Sequence, residues 1–147
     1  MTAHVVPDDP VQPQTRRILL LEDDAELAQT VQEVLETEGF EVQRVPNGVE
    51  GLKALLAKEF DVILCDMVMP GLPGDMFYLA VRRVRPHFCD RFIFTTGHQG
   101  DPRIENFIQS VRALMVWKPF LIRELLDTIW QVLGKVQPNA VEPALVA

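Results

Sequence analysis

"DVILCDMVMPG", residues 61–71, begins as a strand and ends on a charge. Val62, Ile63 and Leu64 form a continuous apolar run, the pattern of a strand covered on both faces in a parallel sheet. Cys65 and Asp66 follow, and Met-Val-Met-Pro-Gly leads the chain out. A buried strand that finishes this way aims a carboxylate from its carboxyl end.

Working outward, the pattern alternates. "RILLL" (17–21) is a short apolar strand. "AELAQTVQEVLETEG" (25–39) spaces Leu27, Val31, Val34 and Leu35 as one face of a helix, with Gly39 at its C-cap. "FEVQRV" (40–45) alternates as a half-exposed strand, and "PNG" opens a second helix marked by Val49, Leu52, Leu55 and Leu56. Residues 75–85 read as a third helix, stopped before Pro86. "RFIFT" (91–95) is a strand. "GDPRIENFIQSV" (100–111) has Asp101 as N-cap and Pro102 at the first helical position. "LMVW" (114–117) is a fifth strand, and "LIRELLDTIWQVLG" (121–134) a closing helix with Gly134 as its stop. This alternation predicts an α/β fold, a doubly wound five-stranded parallel sheet with five helices. In such sheets the functional crevice lies outside the carboxyl ends of the strands.

Composition narrows the function classes. The 147 residues suffice for one domain, and the apolar (48%) and charged (24%) fractions are ordinary for a globular protein. A net charge of -7 without a basic cluster argues against nucleic-acid binding. Cys65 and Cys89 lack metal-type spacing and read as small core residues of a protein in a reducing, cytoplasmic compartment. The first residues have neither a basic n-region nor an apolar h-region, and no apolar run is long enough to span a membrane. Pro7, Pro10 and Pro13 at one end, and Pro138 and Pro143 at the other, mark flexible tails at 1–15 and 136–147 around a domain at 16–135.

The strand ends carry the chemistry. The first ends in Glu22-Asp23-Asp24, the third in Asp66, the fourth in Thr95-Thr96-Gly97 and the fifth in Lys118-Pro119. Each has a bland explanation alone, and Asp24 reads as the N-cap of the first helix. Together they place carboxylates, a hydroxyl and an ammonium on one rim. That set suits phosphoryl transfer to a carboxylate: Mg²⁺ is held by one or two carboxylates and shares its other positions with phosphate oxygens and water. A carboxylate can accept the phosphoryl group, while an ammonium and a hydroxyl neutralise its equatorial oxygens.

With "ILLLEDD", "DVILCDMVMPGLPG", "TTGH" and "KPF" in this order, the chain resembles the response-regulator receiver domain of two-component signalling, over about residues 16–135. The resemblance implies a flavodoxin-like strand order 2-1-3-4-5. It implies that Asp66 is the phosphoacceptor, Thr96 the switch hydroxyl and Lys118 the phosphoryl-binding lysine. It further implies that Glu22, Asp23 and Asp66, with the backbone carbonyl of Val68, bind Mg²⁺, and that Lys118-Pro119 is a cis peptide. Expected partners are a sensor histidine kinase or a histidine phosphotransfer protein, an unknown downstream protein, and a second copy through the face of the fourth helix, fifth strand and fifth helix. No membrane or nucleic-acid partner is expected. The protein would be no enzyme beyond promoting its own phosphorylation and dephosphorylation.

Several positions depart from the family or modulate it. Glu22 stands where Asp is also common. Met115 stands three residues before the lysine, where many receivers carry a switching Tyr or Phe, and strand alternation puts Trp117 on the same face. Val68 and His98 are the two positions expected to face the water that hydrolyses an acyl phosphate. Phe77 and Tyr78 read as core first and interface second. Two rival readings are a receiver that folds but acts only as a binding module, and a Mg²⁺-dependent hydrolase acting through an aspartyl phosphate. The hydrolase typically needs a second acid where Val68 stands. The receiver itself can be a stand-alone switch or part of a hybrid kinase or phosphorelay.

Overall fold

The computed structural model describes residues 15–97 and 100–136. The expected tails at 1–15 and 136–147 fall almost wholly outside the described residues, as does His98. Five strands, β1 (Arg17–Leu21), β2 (Glu41–Val45), β3 (Val62–Asp66), β4 (Phe92–Thr96) and β5 (Leu114–Trp117), form one sheet in the order β2-β1-β3-β4-β5. Every pairing is parallel. The helices are α1 (Ala25–Thr37), α2 (Gly48–Ala57), α3 (Gly74–Val84), α4 (Pro102–Val111) and α5 (Ile122–Val136). The expected doubly wound, flavodoxin-like fold is the one adopted.

Alternation along each strand separates two cores. Leu19, Leu21, Ile63, Cys65, Phe92 and Phe94 face α2, α3 and α4. Ile18, Leu20, Val62, Leu64, Ile93 and Val116 face α1 and α5. β3 is buried at every position, which is why it reads as an unbroken apolar run. Phe77 and Tyr78 belong to the first core, as expected.

Helix starts follow their caps. Asp24 accepts the N–H groups of Glu26 and Leu27 at 3.1 and 3.2 Å, and Asp101 accepts that of Arg103 at 3.0 Å. Gly39, just past α1, has φ +96, the left-handed conformation that glycine adopts without a Cβ penalty. Two details differ from the sequence reading. A short 3-10 turn at Pro86–Arg91 precedes β4, held by Phe88, which is fully buried. Gly134 does not stop the last helix, which runs to Val136: the buried Val132 and Leu133 anchor that turn, outweighing the roughly 1 kcal/mol cost of a helical glycine.

Candidate functional site at the strand ends

Strand parity assembles the site. Glu22 and Lys118 each continue their strand's ladder by one step, through Glu22 N–H to Val45 O (3.2 Å) and Lys118 N–H to Thr96 O (2.8 Å). Glu22, Asp66 and Lys118 therefore keep the parity of Leu20, Leu64 and Val116 and emerge on one side of the sheet. Asp66 is the last residue of the central strand, 5% exposed, and Glu22 is 7% exposed.

Lys118 joins the two carboxylates. Its Nζ donates to Glu22 Oε1 at 2.8 Å and to Asp66 Oδ2 at 3.1 Å. The other Glu22 oxygen accepts the Asp24 N–H at 3.2 Å, and Asp66 Oδ1 accepts the Val68 N–H at 3.1 Å. Burial pushes the Glu22 carboxyl above its ordinary range; the Lys118 hydrogen bond opposes this and the Asp66 charge adds to it. Burial works against the Lys118 ammonium, but the hydrogen bond to Glu22 and the charge of Asp66 outweigh it and raise it.

Asp23, exposed at the rim, completes an acidic trio: ligand oxygens of Glu22, Asp23 and Asp66 lie within 4.8 Å of one another. Three carboxylates against one ammonium leave a formal surplus of 3 − 1 = 2 negative charges. Hard oxygen donors with that surplus suit a small divalent cation such as Mg²⁺.

The other expected residues sit as follows. Thr96 is fully buried at the end of β4, on the parity of Phe92 and Phe94. Lys118-Pro119 is cis. Val68 is 48% exposed in the loop after β3. Met115 packs into the core beneath α4, whereas Trp117 is half-buried and belongs to neither core.

Gly74 is a site residue that the sequence reading missed. A Cβ there would lie 2.7 Å from the Asp66 carbonyl oxygen and 2.9 Å from Met67 Cα. Its N–H donates to Met67 O at 2.9 Å, and Met67 N–H donates to Thr95 O at 2.9 Å. The loop thus closes tightly against Asp66 only because residue 74 lacks a side chain. The signal was available: a glycine opening a helix immediately after a Pro-Gly-Leu-Pro turn.

Comparison with known proteins agrees with this fold. The model of the response regulator receiver domain matches residues 18–130. The sensor kinase CckA of Brucella abortus is 28% identical over 120 residues, 80% of this chain but only 12% of that protein's length. The response regulator receiver protein CpdR of the same organism is 28% identical over 118 residues, covering 80% of this chain and 97% of CpdR. A solved CheY-like receiver domain from Methanospirillum hungatei superposes with a TM-score of 0.77 at 26% identity, over 86% of this chain and all (100%) of that one.

Proposed function

We propose that this chain, which belongs to the response-regulator receiver family, is a signalling switch that takes a phosphoryl group onto Asp66 and changes a partner-binding face in response. The observation that carries this reading is Lys118 bridging Glu22 and Asp66 beside a third carboxylate at the strand ends.

In this reading Glu22, Asp23 and Asp66, with the Val68 carbonyl, hold Mg²⁺, which receivers typically bind. When bound, the cation supplies charge neutralisation for phosphate oxygens. Asp66 is the nucleophile, its Oδ2 attacking phosphorus as the donor's leaving group departs. Lys118 turns from the carboxylates to an equatorial phosphoryl oxygen, and the Thr96 hydroxyl donates to another. These contacts exist only in the modified state, so they draw the end of β4 and the start of α4 toward Asp66. The chain has no separate substrate to turn over; its chemistry is confined to its own acyl phosphate.

Receiver domains interact with histidine kinases or phosphotransfer proteins, and we assign this chain such a donor. The likeness to CckA, a sensor kinase, supports a second reading as the receiver of a kinase or phosphorelay, handing the group to a histidine phosphotransfer protein. The experiment is labelling by acetyl phosphate with Mg²⁺. Label should be released by hydroxylamine, as an acyl phosphate is, and absent from Asp66→Asn; persistent label on that variant overturns the assignment.

A further inference from the structure

At the opposite end of the sheet from Asp66, the structure has a cleft of about 280 Å³. It lies at the amino-terminal ends of β4 and β5, lined by Phe92 and Leu114 together with Tyr78, Cys89, Val111 and Val132. Val111 is the last residue of α4, so α4 supplies part of the wall. Tyr78 and Cys89 stand together in its wall.

A continuous aromatic contact joins this cleft to the site. Phe94 stands two residues before Thr96 on β4 and meets Phe107 of α4 edge-on, with centroids 5.6 Å apart at 79°. Phe107 meets Tyr78 at 5.6 Å and 82°, and Tyr78 meets Phe92 at 5.0 Å and 70°. α4 itself is lightly held. Ile104 is its only buried residue, whereas α3 buries Phe77, Tyr78 and Val81. A helix with so little buried surface moves at low cost. Phe107, half-buried between Phe94 and Tyr78, cannot follow it without both edge contacts repacking. Met115, unbranched and adaptable, packs in the same core.

We propose that Phe107 and Tyr78 couple the position of α4 to the cleft around Cys89, so that the state of Asp66 is read at the far end of the sheet. Movement of α4 toward the phosphorylated site withdraws the Val111 wall and turns the Phe107 edge off Tyr78. Tyr78 then shifts in the cleft wall, and the Cys89 thiol that shares the wall becomes more accessible.

This inference rests on phosphorylation at Asp66, and the test separates the two. Cys65 is completely buried, so iodoacetamide reports Cys89, with the modified residue assigned by mass spectrometry. Alkylation of the acetyl phosphate-treated protein should be faster than that of the untreated protein by about fivefold or more, the lower end of ordinary allosteric coupling. Phe107→Leu keeps an apolar side chain but no ring edge; it should be phosphorylated as well as wild type and lose most of that rate difference. Intact mass measures Asp66 occupancy in the same samples. High occupancy with an unchanged Cys89 rate overturns the coupling alone, and retention of the difference in Phe107→Leu overturns the role of that ring. No occupancy under any donor overturns both readings.

Discussion

Lys118 donates a 2.8 Å hydrogen bond to Glu22 across 96 positions of sequence, tying the end of β5 to the end of β1 over the carboxylate of Asp66. The ammonium thus holds two nearly buried carboxylates together. Lys118→Met should leave that pair uncompensated. We expect a loss of about 2 kcal/mol in urea unfolding without metal, below the range for full burial because Lys118 remains partly exposed. Labelling by acetyl phosphate should fall roughly tenfold or more, as for loss of one donor to a developing oxyanion. Unchanged labelling would remove Lys118 from the reaction.

The surplus of negative charge predicts a stabilising cation. Mg²⁺ at ten times its dissociation constant should stabilise the wild type by about 1.4 kcal/mol. Asp23 is exposed at the rim, so Asp23→Asn should fold normally, with most of the metal effect gone. Thermal unfolding with and without Mg²⁺ measures both; an equal shift in Asp23→Asn would place the ion elsewhere.

Gly74 and Gly48 offer a matched contrast in what a methyl group meets. At Gly74 it meets backbone, the Asp66 carbonyl at 2.7 Å, which cannot yield without moving Asp66 itself. At Gly48 the nearest atoms, also at 2.7 Å, belong to the Leu72 side chain, which can rotate. Gly74→Ala should cost about 1–3 kcal/mol and slow phosphorylation, whereas Gly48→Ala should cost less and leave phosphorylation intact. Equal effects on labelling would show that the loop is not tuned to Asp66.

How far the sequence foretold these features depends on how local each one is. The strands were legible because both faces of β3 and β4 are buried, and the helix starts because Asp24 and Asp101 cap their own next turn. The site residues were legible as strand-end charges, although their convergence needed the fold. Gly134 misled because a helix end is decided by packing as well as by propensity, and Val132 and Leu133 carry α5 past it. The contacts of Gly74 with Asp66, and of Tyr78 with Phe107, join segments distant in sequence or cross a loop, and no periodicity encodes them.

Tyr78 should shape the alkaline limit of stability. Burial raises its hydroxyl from 10.0 to about 12. A group whose folded value is raised stabilises fully below its unfolded value and loses that contribution as pH climbs to the folded one. Stability should therefore fall between pH 10 and about 12, by up to about 3 kcal/mol across that interval. The buried Cys65 thiol, also raised, acts in the same direction from 9.0 upward. Urea midpoints at pH 8 and pH 11 should converge in Tyr78→Phe relative to wild type; an identical drop in both proteins would assign the alkaline limb to other groups.

The lifetime of the acyl phosphate should be set at Val68. Its backbone N–H donates to Asp66 Oδ1 at 3.1 Å, which fixes the residue beside Asp66, and the residue is 48% exposed. Hydrolysis needs a water in line with the bond from Asp66 to phosphorus, and an isopropyl group in that position can exclude water but not orient it. Asparagine is close to valine in size and carries both a donor and an acceptor. Val68→Asn should therefore shorten the phosphorylated state by about tenfold, below what a well-placed proton-transfer group supplies, with stability nearly unchanged because the side chain is exposed. Val68→Ala, smaller and equally apolar, should shorten it less, by admitting water without orienting it. Decay of labelled protein after removal of the donor gives all three rates. If asparagine decays no faster than valine, shielding by residue 68 is not what sets the lifetime.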